Sequence, residues 1–272
     1  MSMSDVAPPG HFDAWPDSQV HVEWGPTGAR LAAARGDIVV VVDVLSFSTT
    51  LAMAVARDFT CLVYSGPEIE RMGGADAAGA ALRARPLSKR RRAQPGELSL
   101  SPQSLLTAEP HQRVLFTSLN GAAATGAAAD APALLVGGLR NAAACAAIVG
   151  DLLADGVAKR VTVVASGEHW SSVEPAADGM RPGLEDWLGA GAICAGLRQA
   201  GFTLSAEATL AAAGWDGGAA AIASCVSARE LIAAGFADDV ALALEVDVSD
   251  VVPMRVEDDD TGRTFTGRVR TR

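Results

Sequence analysis

Six short runs of apolar, β-branched residues, at 19–24, 38–43, 60–65, 113–118, 133–137 and 161–165, are separated by polar turns and Ala-rich stretches. This alternation constrains the chain more than any other feature. Parallel strands need crossover helices, so alternating strand and helix patterns specify a layered α/β domain. Most of the runs are continuously apolar, IVVVV at 38–42 above all, as expected of central strands covered on both faces. The segments between them predict helices at 48–57, 120–129, 141–154, 184–199 and 219–234, the last stopped by Gly235. Two stretches, 86–102 and 166–183, hold too many Pro, Gly, Arg or Ser residues for a regular element and predict long loops.

Residues 1–18 are expected to form a flexible N-terminal segment, 19–256 one α/β domain, and 257–272 a C-terminal hairpin strand and tail. Together VVPMRV, EDDDTG and RTFTGRV read as a hairpin at the periphery. At 272 residues, 49% hydrophobic and 20% charged, the chain has ample core. A net charge of −10 argues against nucleic acid or an anionic membrane as partner. The basic run Lys89-Arg90-Arg91-Arg92 reads first as a solvated loop, with a lid that draws in a small anion as the alternative. The N-terminal residues lack the order of a signal peptide and no apolar run has the length of a membrane span, so a cytoplasmic location is expected. Nothing decides between a monomer and a homo-oligomer.

The polar residues at the predicted strand ends are Asp43 with Ser46, Ser48 and Thr49, then Thr117, Ser118 and Asn120, then Asn141, then Ser166 with Glu168. In doubly wound sheets ligands gather at strand carboxyl ends, where helix N-termini converge. Such a set suits a phosphate ester held by backbone N–H groups, with Mg²⁺ bridging it to Asp43 and to Glu185 or Asp186. The plainer readings also stand: Asn120 and Asn141 as helix N-caps, and Glu185 and Asp186 as first-turn acids favoured by the helix dipole. Helical spacing turns neighbours about 100° apart, so one of Glu185 and Asp186 is expected to face the site.

Several chemistries are excluded. Haloacid-dehalogenase phosphatases need Asp-x-Asp, and the second position here is Leu45. Neither GPTGAR nor LSFSTT supplies G-x-G-x-x-G, and G-x-S-x-G is absent. His11, His21, His111 and His169 have no metal-ligand spacing. Cys61, Cys145, Cys194 and Cys225 sit singly among apolar neighbours and read as small buried hydrophobes.

The ordered motifs resemble the 2-phosphosulfolactate phosphatase (ComB-like) family. Its Asp-Val-Leu-Arg-Ala-Thr-Thr is matched by Asp43-Val44-Leu45-Ser46-Phe47-Ser48-Thr49 and its Asn-Ser-Pro by Leu100-Ser101-Pro102. Its Thr-Thr-Asn-Gly-Thr is matched by Ser118-Leu119-Asn120-Gly121-Ala122, after Thr117. Asn141-Ala142, Ala165-Ser166-Gly167, Glu185-Asp186, Ala190-Gly191, the run from Gly235 to Asp239 and Val252-Pro253 follow in order. The resemblance implies a three-layer α/β/α fold with a mostly parallel or mixed sheet, and Mg²⁺-dependent hydrolysis of a phosphate monoester. The family's named reaction removes phosphate from 2-phosphosulfolactate in coenzyme M biosynthesis. The chain departs at Ser46, where the family has Arg, at Leu100 for Asn, and at Leu119 and Ala122 for Thr.

The expected enzyme is therefore a phosphatase for a small anionic monoester. Asp43, Asn120, Glu185 and Asp186 are its candidate catalytic residues, and Asp43, Glu185 and Asp186 its metal ligands. Ser46, Ser48, Thr49, Ser101, Thr117, Ser118 and Asn141 would bind substrate. The alternative is a non-catalytic small-anion-binding protein on the same fold.

Overall fold

A computed structural model of the chain describes residues 17–94, 96–170, 174, 179–256 and 261–270. Residues 1–16, with His11 and Trp15, lie outside it, as do residues 257–260, part of the EDDDTG segment expected to link the hairpin strands. The strands are β1 (Val20–Trp24), β2 (Ile38–Val42), β3 (Thr60–Ser65), β4 (Arg85–Pro86), β5 (Arg113–Ser118), β6 (Leu134–Gly137), β7 (Val161–Ala165), β8 (Glu168–His169), β9 (Met180–Arg181), β10 (Val251–Arg255) and β11 (Thr264–Val269). The helices are α1 (Gly25–Ala34), α2 (Phe47–Val55), α3 (Gly66–Arg71), α4 (Ala75–Leu82), α5 (Gly121–Ala127), α6 (Ala142–Ala154), α7 (Leu184–Gln199), α8 (Ala206–Gly218), α9 (Val226–Ala233) and α10 (Ala237–Ala243).

Nine strands form one sheet in the order β1-β7-β2-β6-β10-β11-β3-β5-β4, and β8 pairs with β9 apart from it. Side chains of β2 alternate between two cores, which is why its run is unbroken. Ile38, Val40 and Val42 join residues of α6, α7 and α8, while Val39 and Val41 join α1, α2 and α5. The farther strands carry a smaller third core, where Leu62 and Leu115 meet Ile69 of α3 and Ala78 of α4. Helices thus lie on both faces, giving three α/β/α layers. All nine residues of α2 are buried, its hydroxyl side chains Ser48, Thr49 and Thr50 each taking a backbone partner. Among the described residues no helix is long and apolar enough to cross a membrane.

Two expectations change. The hairpin β10–β11 lies in the middle of the sheet, not at its edge, where Met254 pairs with Leu135 of β6 and Phe265 with Cys61 of β3. Its inward Val252 and Phe265 are buried and fill the gap between two parallel blocks. The helix expected at 219–234 breaks at Cys225 into a 3₁₀ segment, Ala219–Ser224, and α9. There Cys225 is extended and its Sγ accepts from the Ala228 N–H, capping α9.

Strands β1, β7, β2 and β6 are mutually parallel, as are β3, β5 and β4. The hairpin is antiparallel to β6 on one side and β3 on the other, so the two blocks oppose each other along the ladder. The carboxyl ends of β5 and β2 nonetheless meet: the backbone N–H of Gly121, just after β5, lies against the side chain of Asp43, just after β2.

Helix α7 approaches its neighbours through glycines. A Cβ at Gly191 would lie 2.2 Å from the Ala211 carbonyl oxygen of α8, and one at Gly189 would lie 2.7 Å from Val44 Cγ2. Gly191→Ala is therefore expected to lower stability by about 1–3 kcal/mol through overpacking, read as a fall in the thermal midpoint.

Candidate active site

Asp43 follows the last residue of β2 and is 6% exposed. Its carboxylate accepts from two helix starts, with Oδ1 3.2 Å from the Phe47 N of α2 and Oδ2 2.8 Å from the Gly121 N of α5. Both N-termini favour negative charge there. The hydroxyl residues that follow bind the turn's own backbone. Ser48 Oγ accepts from the Asp43 N–H at 2.8 Å, Thr49 Oγ1 donates to the Val44 carbonyl, and Thr50 Oγ1 donates to the carbonyls of Ser46 and Leu100. Ser48 and Thr49, expected at the substrate, are therefore what holds the aspartate in place.

Asp186, in the first turn of α7, accepts from the Val44 N–H at 2.8 Å and the Gly167 N–H at 2.9 Å. It stitches the ends of β2 and β7 to the helix. Glu185 is equally buried and accepts from the Cys225 thiol at 3.3 Å. Burial thus takes in both acids, although one was expected to face the site. Glu168, noted at its strand end but given no role from sequence, accepts from Asn120 Nδ2 at 2.8 Å.

These four carboxyl groups feel one another. Burial pushes Asp43 up to about 6, with the Glu185 charge adding to the rise and the Phe47 and Gly121 N–H groups opposing it. Burial and then the Asp43 charge push Glu168 up to about 7. Burial, then the charges of Glu185 and Asp43, hold Asp186 well above the usual carboxylate range. Among the described residues no three His, Cys, Asp or Glu side chains converge into a metal cage.

A cavity of about 380 Å³ opens on Asp43 and is lined by Ser46, Thr117, Ser118 and Asn120 from the expected set. Leu45, Leu100 and Leu119 make part of its wall apolar. Neither expected N-cap caps a helix with its side chain. Asp43 takes the Gly121 N–H, and Asn120 instead holds Glu168, leaving its Oδ1 buried without a partner. Asn141 stands apart from the cavity, with Oδ1 accepting from the Gly138 N–H and Nδ2 donating to the Val251 carbonyl of β10. Ser101 Oγ donates to Asp239 Oδ1 at 2.5 Å. A larger groove of about 980 Å³ between α6 and the β10–β11 hairpin holds none of these residues.

Arg90 corrects the reading of its loop as merely solvated. Its side chain is 15% exposed, lies over the Phe236 ring at 5.2 Å, and brings Nε to 2.9 Å from Asp239 Oδ2. Its Nη2 donates to Ser46 Oγ and to the Leu100 carbonyl. Lys89 also lines the cavity, whereas Arg91 and Arg92 face solvent. A run of four basic residues carries no mark of which one turns inward, so sequence could not single out Arg90.

Two outcomes follow. A Cβ at Gly121 would lie 2.1 Å from Phe47 Cδ1 and 2.8 Å from Asp43 Oδ2, so Gly121→Ala should displace the carboxylate and reduce activity at least tenfold. Steady-state kinetics beside the melting temperature will check this. Glu168 is the pH probe. Its folded pKa lies above the ordinary glutamate value, so its contribution to stability is complete below about pH 4 and is lost as pH rises through about 7. In chelator, Glu168→Gln should match wild type at pH 4 and exceed it at pH 8 by on the order of 1–3 kcal/mol in denaturant melts.

No curated protein matches the chain. The model of one family, described as 2-phosphosulpholactate phosphatase, matches residues 27–258, a span from α1 through β10 that takes in Asp43, Asn120, Glu168, Glu185, Asp186 and the hairpin's first strand. By that match over most of its length, the chain belongs to the 2-phosphosulpholactate phosphatase family of phosphoric monoester hydrolases.

Proposed function

We propose that this phosphatase hydrolyses a small anionic phosphate monoester, less polar than 2-phosphosulfolactate, with the help of Mg²⁺. The observation that carries the reading is Asp43: a desolvated carboxylate fixed by two helix-start N–H groups, opening on a cavity with both cationic and apolar walls.

The donor chemistry fits Mg²⁺, which takes hard oxygen ligands, keeps several waters, and needs one or two carboxylates rather than a closed cage. Asp43 and Glu185 would hold it, and the buried, unpartnered Asn120 Oδ1 and Ser166 Oγ add oxygens at the ends of β5 and β7. Asp186 ties Val44, in the turn after β2, and Gly167, beyond β7, to the start of α7 and so positions the strand ends. When bound, Mg²⁺ neutralises phosphoryl oxygens and makes bound water more acidic.

The chain's own groups do the rest. Thr117, Ser118 and Asn120 at the end of β5 line the cavity and orient the phosphoryl group. Glu168, held by Asn120 and pushed up to about 7, exchanges its proton near neutral pH and serves as the base that takes a proton from the attacking water. Leu45, Leu100 and Leu119 receive the organic part of the ester.

Phosphate release should be measured against a panel of monoesters, with Mg²⁺ and with chelator. Turnover is expected with Mg²⁺ alone and should fall at least a hundredfold in Asp43→Asn. Mg²⁺-dependent turnover that survives Asp43→Asn would overturn the placement of the site. Wild type that binds Mg²⁺ and phosphate yet never outruns Asp43→Asn would support the non-catalytic anion-binding alternative.

A further inference from the structure

Arg90 is held from several directions. Its stretch closes on itself, with the Ser88 N–H on the Leu98 carbonyl and the Leu100 N–H on the Ser88 carbonyl. From that base the side chain passes over Phe236, and Asp239 of α10 pairs with Nε while accepting from Ser101 Oγ with its other oxygen. Of the five guanidinium N–H donors, Nε faces Asp239 and Nη2 serves Ser46 Oγ and the Leu100 carbonyl. Nη1 takes no protein partner among the described residues and, unlike Nε, is not among the buried unpartnered atoms. Arg90 lines the Asp43 cavity and lies within electrostatic reach of Asp43 itself.

We propose that Arg90 is the anion-binding guanidinium of this site, delivered from the 86–102 loop to the place of Ser46, with Asp239 as its positioning residue. The proposal rests on the phosphate-ester reading of the cavity. Geometry favours it over a purely structural ion pair. A clasp for the loop needs Asp239 alone, whereas this guanidinium is carried past Asp239 onto Ser46, at the start of α2 and three residues from Asp43. With Nε and Nη2 fixing the guanidinium plane, Nη1 offers oriented donors to the oxygens of a phosphoryl group, which a lysine in the same place would meet as a point charge.

The test is titration calorimetry of inorganic phosphate into the full chain with Mg²⁺, beside monoester kinetics and melting temperatures. Arg90→Ala should weaken phosphate binding about tenfold to a hundredfold and raise KM in proportion, and Arg90→Lys should fall between. Ser46→Arg alone should crowd two guanidinium groups into one space and weaken binding. The double variant Ser46→Arg/Arg90→Ala should recover most of what Arg90→Ala loses. Phosphate affinity within twofold of wild type in Arg90→Ala, at an unchanged melting temperature, overturns the proposal, as does a double variant no better than Arg90→Ala. Should Arg90→Ala fail to fold, Arg90→Lys decides, since it keeps the charge for Asp239 but lacks the oriented donors: unchanged phosphate affinity then overturns the proposal. Wild type that binds phosphate through Arg90 but releases none from any monoester supports this assignment while sinking the phosphatase reading.

Discussion

A carboxylate buried at the end of a central strand is expensive to desolvate, and the arrangement around Asp43 answers that expense from several directions. The starts of α2 and α5 each give it one N–H, so two helices are fixed to the same pair of oxygens. The hydroxyls of Ser48, Thr49 and Thr50 take up the backbone groups of the turn that carries it. Asp186 ties the same turn to β7 and α7. Shifting Asp43 would therefore disturb elements on both faces of the sheet at once, which is how a loop of four residues is kept in one geometry without regular structure of its own.

The rest of the site works against stability. Burial and mutual repulsion raise Asp43, Glu168 and Asp186 together, so the protein holds several acids in an environment that disfavours their charge. Backbone N–H groups compensate Asp43 and Asp186 in part, and a single side-chain amide does so for Glu168. Clusters of this kind persist where a bound ligand or ion relieves them, and binding that relieves them also stabilises the fold. The ion pairs of Asp37 with Arg35 and Arg160 at the opposite ends of the strands are different: there the buried acid meets two guanidinium groups and Thr162. One end of the sheet is electrostatically satisfied and the other is not.

What was legible in sequence follows from which interactions are local. The apolar run of β2 and its termination at Asp43 are written in adjacent residues, so strand and strand end could be read together. The Glu185-Asp186 pair was legible as a helix start, but its division of labour depends on Val44, Gly167 and Cys225, partners distant in sequence. The β10–β11 hairpin was legible as a hairpin and misplaced in the sheet, because its neighbours β6 and β3 are set by burial of Val252 and Phe265 rather than by anything near the turn. Asn120 and Asn141 looked alike as caps; tertiary partners gave one to Glu168 and the other to β10.

Position 46 shows why reading a site residue by residue underestimates what a fold can retain. A strand-end arginine and a loop arginine are unrelated in sequence, yet a guanidinium group sits about 6–7 Å from its own Cα, so either backbone origin can deliver it to one point. What differs is the support each needs. An arginine on the turn after β2 would be fixed by a rigid strand end, whereas Arg90 needs Asp239, Phe236 and a closed loop to lose its freedom before any ligand arrives. That extra support comes from α10 and the residue just before it, elements far along the chain from β2. The cationic wall of the cavity and the helices on the far side of the sequence are thereby made interdependent, and a small serine at position 46 is what leaves room for the connection.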